Sequence, residues 1–121
     1  MHETVMLADD SSFMRELEKT ILEQAGYTIV AQASNGAQAI SCYELYKPDI
    51  VLMDINMLGM GGVEALKKII KNHPDARVIM CSSMGQEPFI AEAISAGAKD
   101  FIIKPFKREF LLRTVLTVLE G

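Results

Sequence analysis

The chain has 121 residues, of which 50% are apolar and 23% charged, which describes one ordinary globular domain and excludes disordered or low-complexity chain. Twelve Lys and Arg against sixteen Asp and Glu leave a net charge of −4, the wrong sign for a module that grips DNA or RNA directly. The apolar runs are short, far below the roughly 18 residues that span a bilayer. Met1-His2-Glu3-Thr4 has no cationic region ahead of its apolar run, so no signal peptide is expected and the cytoplasm is the expected compartment. Cys42 and Cys81 lack a CxxC spacing and read as buried, reduced packing residues. His2 and His73 share no zinc-ligand spacing with them.

Taken in chain order, short apolar runs alternate with helical patterns. Val5-Met6-Leu7-Ala8 is the first run, followed by a helix with Phe13, Leu17, Ile21 and Ala25 at four-residue spacing. Ser11 or Ser12 can cap that helix, and Gly26 ends it. The second run is 28–33, and a helix follows over 36–46 until Pro48, whose predecessor resists the α region. Ile50-Val51-Leu52-Met53 leads to a helix carrying Val63, Leu66, Ile69 and Ile70, broken at Asn72-His73-Pro74-Asp75. Val78-Ile79-Met80-Cys81 comes next, then a helix beginning near Pro88 and ending at Gly97. Phe101-Ile102-Ile103 is the last run, and Leu111, Val115, Val118 and Leu119 stripe the final helix. Runs one, three and four are continuously apolar, as in strands covered on both faces. Strict strand–helix alternation implies right-handed crossovers and a parallel sheet, and five units are too few for an eight-stranded barrel. The expected fold is an α/β, doubly wound open sheet of five parallel strands with five helices.

Ligands of such sheets bind beyond the carboxyl ends of the strands. There the first strand ends in Asp9-Asp10, the third in Asp54, the fourth in Ser82-Ser83 and the fifth in Lys104-Pro105, while the second ends in an ordinary turn, Ser34-Asn35-Gly36. Each feature has a plainer explanation alone: helix-terminus charge for the Asp pair, a loop acid for Asp54, a helix cap for Ser82 or Ser83, a solvated charge for Lys104. All must hold at once for the rim to be accidental. Two like charges 4 Å apart repel by about 4 kcal/mol at an effective dielectric of 20. Three carboxylates in one pocket must therefore take up protons or bind a cation, since one lysine cannot neutralise them. An all-oxygen site with few carboxylates suits Mg²⁺. An ionised Asp beside it can attack phosphorus, with Lys104 and Ser82 holding phosphoryl oxygens.

The blocks Ala8-Asp9-Asp10-Ser11, Asp54-Ile55-Asn56-Met57, Cys81-Ser82-Ser83-Met84-Gly85-Gln86 and Ala96–Phe106 resemble response-regulator receiver domains, above all the single-domain chemotaxis type. The resemblance spans the whole chain, 1–121, and implies the flavodoxin-like strand order 2-1-3-4-5. It implies that Asp54 accepts phosphate from a sensor histidine kinase. Asp10, Asp54 and the backbone carbonyl of Asn56 would bind Mg²⁺, with Asp9 acting through water. Ser82 would be the switch hydroxyl and Phe101 the switching aromatic; the Lys104–Pro105 bond is expected to be cis. Asn56 and Met84, two residues beyond Asp54 and Ser82, would influence water access to the phosphoryl group. Lys99, Phe101, Lys107 and Arg108 are candidates for a partner face on the fourth helix, fifth strand and fifth helix. That face would serve a flagellar-motor switch protein, with a phosphatase as another partner. A monomeric signalling protein, not an enzyme in the ordinary sense, is expected, with no nucleic-acid or membrane partner.

Two departures stand out. Leu58 replaces the family's usual proline, and Gly61 its usual Asn or Asp, so that the loop reads Leu58-Gly59-Met60-Gly61-Gly62. Extra glycine freedom is expected to weaken Mg²⁺ binding, and Leu58→Pro to restore it. Phe101 replaces a common tyrosine, so that switching would rest on packing alone. Three rivals remain. A flavodoxin-type electron carrier would need a Ser/Thr/Gly-rich phosphate loop where Asp9-Asp10 stands; an aspartyl-phosphate phosphatase or mutase often has an acid where Asn56 stands. The chain could also be a receiver cut from a larger DNA-binding or enzymatic regulator, since it stops directly after its last helix.

Overall fold

A computed structural model describes residues 3–121. Met1 and His2, assigned above to neither a leader nor a zinc site, lie outside the described residues. In chain order the elements are β1 (Thr4–Ala8), α1 (Ser12–Gln24), β2 (Thr28–Ala33), α2 (Gly36–Tyr46), β3 (Ile50–Asp54), α3 (Gly62–Asn72), β4 (Val78–Ser83), α4 (Glu87–Ala96), β5 (Asp100–Lys104) and α5 (Arg108–Glu120). The strands form one parallel sheet in the order β2-β1-β3-β4-β5. The expected doubly wound architecture and strand order are therefore present.

Alternation along the strands divides the core in two. Val5, Leu7, Ile50, Leu52, Ile79, Cys81 and Ile102 pack with Ile21 and Leu22 of α1 and Leu111, Val115 and Val118 of α5. Met6, Ala8, Val51, Met53, Val78 and Met80 pack with residues of α2, α3 and α4 on the other face. Both faces are covered, which is why the central strands read as unbroken apolar runs. The two cysteines are free and occupy different faces: Cys81 is buried in the α1–α5 core, whereas Cys42 is only half-buried against the α2–α4 core, less enclosed than expected.

The helix ends follow local chemistry. Ser11 caps α1 by accepting a hydrogen bond from the Met14 N–H at 3.2 Å. Asn35 caps α2 by accepting from the Gln38 N–H at 2.8 Å, while the Gln38 side chain reaches back to the Ser34 N–H at 2.8 Å. The Ser34-Asn35-Gly36 turn is thus a helix start. Ser82 and Ser83 do not cap α4; both belong to β4, Gln86 stands at the cap position, and the Ser83 N–H donates to the Gln86 side chain at 2.7 Å.

One element is rotated relative to the sequence reading. The buried face of α1 is Glu18, Ile21 and Leu22, whereas Phe13 is 73% exposed and Leu17 and Ala25 are also exposed. A strict four-residue spacing gains about 40° per step on a helix of 3.6 residues per turn, so the stripe Phe13–Leu17–Ile21–Ala25 winds off the core. The set 18, 21 and 22 keeps to one face.

Candidate functional site

Alternation also positions the rim. On β1, Leu7 faces the α1–α5 core, so Asp9, two residues on, lies on the same side. The same count carries Leu52 to Asp54 and Ile102 to Lys104. Three strands thereby deliver two acids and one lysine to the same side of the sheet's carboxyl edge. Lys104 Nζ lies 2.9 Å from Asp54 Oδ1 and 3.4 Å from Asp9 Oδ2. The other Asp9 oxygen accepts from the Ser11 N–H at 2.9 Å, and Arg15 holds the Asp9 backbone carbonyl. Asp10 stands exposed beside them. One carboxylate oxygen each from Asp9, Asp10 and Asp54 lies within 4.8 Å of the other two.

Burial and charge shape this cluster. Asp54 is only 6% exposed. Burial pushes its carboxyl up from 3.8 to about 6; the Lys104 hydrogen bond opposes this, while the charges of Asp9 and Asp10 add to it. Burial alone would lower the Lys104 ammonium, but the Asp54 hydrogen bond and the charges of Asp54 and Asp9 outweigh it and hold the group above its ordinary value. One ammonium thus faces two buried acids. Three hard oxygen donors converge within reach of one ion, which fits Mg²⁺ as a resident cation.

Ser82 is fully buried, and among the described residues its hydroxyl oxygen has no hydrogen-bond partner. An unpartnered buried hydroxyl costs about 1–3 kcal/mol, so a bound group that accepts from it gains that much. Ser82 pairs with Ile103 and Ser83 with Lys104 across the β4–β5 ladder, setting the hydroxyl beside the lysine strand.

The loop after β3 is more constrained than its glycines suggested. Asn35 and Leu58 form a parallel bridge, and the Gly36 N–H donates to the Met60 carbonyl at 3.1 Å. The Gly62 N–H donates to the Ile55 carbonyl at 2.9 Å. A Cβ at Gly62 would lie 2.0 Å from the Asp54 carbonyl oxygen, so only glycine lets α3 start against the acidic strand. Of the three loop glycines only Gly59 has a positive φ, 71°. Leu58 is 76% exposed, and Asn56 and Met84 also face outward at this edge.

Other expected residues lie apart from the acids. Phe101, 38% exposed, is on the edge strand β5 and points outward. Lys99 and Lys107 are exposed, whereas the Arg108 guanidinium donates to the Gln24 side chain of α1 at 2.8 Å and is drawn away from α4. The Lys104–Pro105 peptide bond is cis. The sequence reading missed Glu18, a carboxyl on the buried face of α1.

Comparison with known proteins joins this geometry to a family. Residues 5–116 match the response regulator receiver domain model. The chain is 50% identical over 107 residues to the chemotaxis protein CheY of Thermotoga maritima, covering 88% of this chain and 89% of that one. It is 47% identical over 115 residues to CheY of Bacillus subtilis, covering 95% and 96%. Among solved structures it matches the CheX–CheY–BeF3–Mg²⁺ complex of Borrelia burgdorferi with a TM-score of 0.92 and 35% identity over 96% of this chain and 88% of that one. CheY is itself a reference example of the strand order found here. The chain belongs to the response-regulator receiver family and is a CheY-like chemotaxis response regulator, a signalling protein of two-component systems.

Proposed function

We propose that Asp54 is the phosphoacceptor and that Mg²⁺ is the cofactor, held by Asp10, Asp54 and the Asn56 backbone carbonyl with Asp9 behind a water. The observation that carries this reading is the convergence of three carboxylates and Lys104 on one partly enclosed edge. When bound, the cation neutralises the acids and draws a phosphoryl oxygen toward them. An Asp54 Oδ then forms a bond to phosphorus as the bond to the donor nitrogen breaks, and the electron pair leaves with the donor imidazole. Lys104, released from Asp54, pairs with a phosphoryl oxygen, and Ser82 donates its free hydroxyl to another. The chain thereby promotes its own phosphorylation and dephosphorylation.

The donor is a sensor histidine kinase. In this reading residues 1–121 form a single monomeric receiver domain that works in the cytoplasm. Movement of Ser82 toward the phosphoryl group opens room beneath Phe101, whose inward swing alters the surface of α4, β5 and α5. Lys99, Phe101 and Lys107 lie on the face that a flagellar-motor switch protein would read, with Arg108 at its margin. A phosphatase would act at the Asp54 edge, and the Borrelia structure has CheY in complex with a second protein, CheX. Intact mass after incubation with a small phosphodonor tests the central claim. One phosphoryl group should be gained by wild type with Mg²⁺, and none without Mg²⁺ or in Asp54→Asn; a gain by the Asn variant would overturn the assignment.

A further inference from the structure

The chain leaves β1 through the Asp9–Asp10 peptide, and Asp9 is held there at each of its polar groups. Its N–H donates to the Ala33 carbonyl of β2 at 3.0 Å. One carboxylate oxygen accepts from the Ser11 N–H at 2.9 Å, the other faces Lys104 Nζ at 3.4 Å, and the backbone carbonyl accepts from Arg15. Asp10, the next residue, is exposed, yet one of its oxygens lies within 4.8 Å of oxygens of Asp9 and Asp54.

Arg15 reaches this peptide from the first turn of α1. Its N–H donates to the Ser11 carbonyl at 3.1 Å, which sets the residue one helical turn beyond the cap. From there the guanidinium forks: Nη1 donates to the Asp9 carbonyl and Nε to Gln32 Oε1 at 3.0 Å. Gln32 is placed by the sheet, since it stands opposite Leu7 in the β1–β2 ladder. Two donors of one rigid plane thus join the end of β1 to a side chain of β2. The Asp9 carbonyl and the Asp10 nitrogen belong to one planar peptide, so fixing the oxygen also fixes the direction in which the chain departs toward Asp10.

We propose that Arg15, braced by Gln32, is a positioning residue of the cation pocket: it locks the Asp9–Asp10 peptide and thereby aims the Asp10 carboxylate at the cation site. The proposal rests on the receiver reading above, because it needs a cation among Asp9, Asp10 and Asp54. It runs against simple electrostatics. A guanidinium near a cation repels it, so charge alone makes the pocket bind more tightly once Arg15 is removed. Loss of the clamp does the reverse, because the incoming ion must then order Asp10 itself. Gln32 separates the two effects, being neutral and joined to the site through Arg15.

The test is calorimetric titration of the full chain with MgCl₂ for wild type, Arg15→Met, Gln32→Ala and the double variant, with the Asp9 carbonyl ¹³C resonance followed in the metal-free proteins. Arg15→Met should weaken Mg²⁺ binding about fivefold and Gln32→Ala about twofold, as expected when one backbone unit loses its restraint. The double variant should bind no more weakly than Arg15→Met, since Gln32 acts through the guanidinium. The Asp9 carbonyl resonance should move upfield in every variant, a signature of the loosened hydrogen bond that a general loss of stability does not give. Gln32 is exposed on the edge strand β2, so its variant carries the test even if Arg15→Met does not fold. Wild-type or tighter affinity in Arg15→Met or in Gln32→Ala, or an unmoved resonance, would overturn the positioning role while leaving the cation site standing. Losses that simply multiply in the double variant would overturn the brace. Absence of Mg²⁺ binding by wild type would overturn the cation reading together with the proposal.

Discussion

Replacing Asp54 by Asn should make the cation-free protein more stable, and the structure sets the size of the gain. The Asp54 carboxyl titrates near 3.8 in a solvated chain and near 6 in the fold. Below about pH 3.8 both states are protonated and the group contributes nothing. Between there and pH 6 the unfolded chain releases its proton while the folded chain retains it, so that stability falls as pH rises. Above pH 6 the loss is complete: about two pH units, or about 3 kcal/mol. Asn keeps the shape without the charge, and Lys104 retains Asp9 at 3.4 Å. The Asn variant should therefore unfold at higher urea at pH 7.5 in EDTA, with a gain approaching 3 kcal/mol, which for a domain of this length raises Tm by about 10 °C. The gap should close at pH 4, and Mg²⁺ should narrow it by stabilising wild type. Loss of the Asp54 charge also relieves the Glu18 carboxyl, which that charge helps to raise, and so adds to the gain in the same direction. An Asn variant no more stable than wild type at pH 7.5, or a gap undiminished at pH 4, would refute the reasoning.

Other substitutions probe the remaining parts of the edge. Gly62→Ala forces a Cβ into the Asp54 carbonyl, and should cost at least about 1–3 kcal/mol in urea unfolding while slowing phosphoryl uptake. Ser82→Ala removes an unpartnered buried hydroxyl, so stability should stay within about 1 kcal/mol of wild type or rise; phosphorylation followed by mass should nevertheless slow. Lys104→Met deletes the group that lowers the Asp54 carboxyl, and carboxyl ¹³C NMR should show Asp54 titrating above 6. Leu58→Pro should tighten Mg²⁺ binding a few-fold in calorimetry, and an unchanged affinity would show that the Asn35–Leu58 bridge already holds the loop.

Much of the protein could be read from the chain itself. Five unbroken or short apolar runs with helices between them determine a parallel sheet covered on both faces, because no other packing hides such strands. Asp9, Asp10, Asp54, Ser82 and Lys104 were legible because each follows an apolar run, and strand ends of such a sheet share one edge. Tertiary structure decided what periodicity could not. It chose which face of α1 turns inward, exposing Phe13 and burying Glu18, since neighbouring stripes differ by only a fraction of a turn and packing against β1, β2 and α5 settles between them. It turned Arg108 toward Gln24, and it left Ser82 without a partner, because hydrogen bonding depends on which groups the fold brings within about 3 Å. It also pinned a glycine-rich loop, at one end by Gly62 against the close of β3 and at the other by Gly36, which bonds Met60 from a helix far away in sequence. A carboxyl on a helix reads as a solvated charge until the fold removes its water, which is why Glu18 was invisible in the sequence.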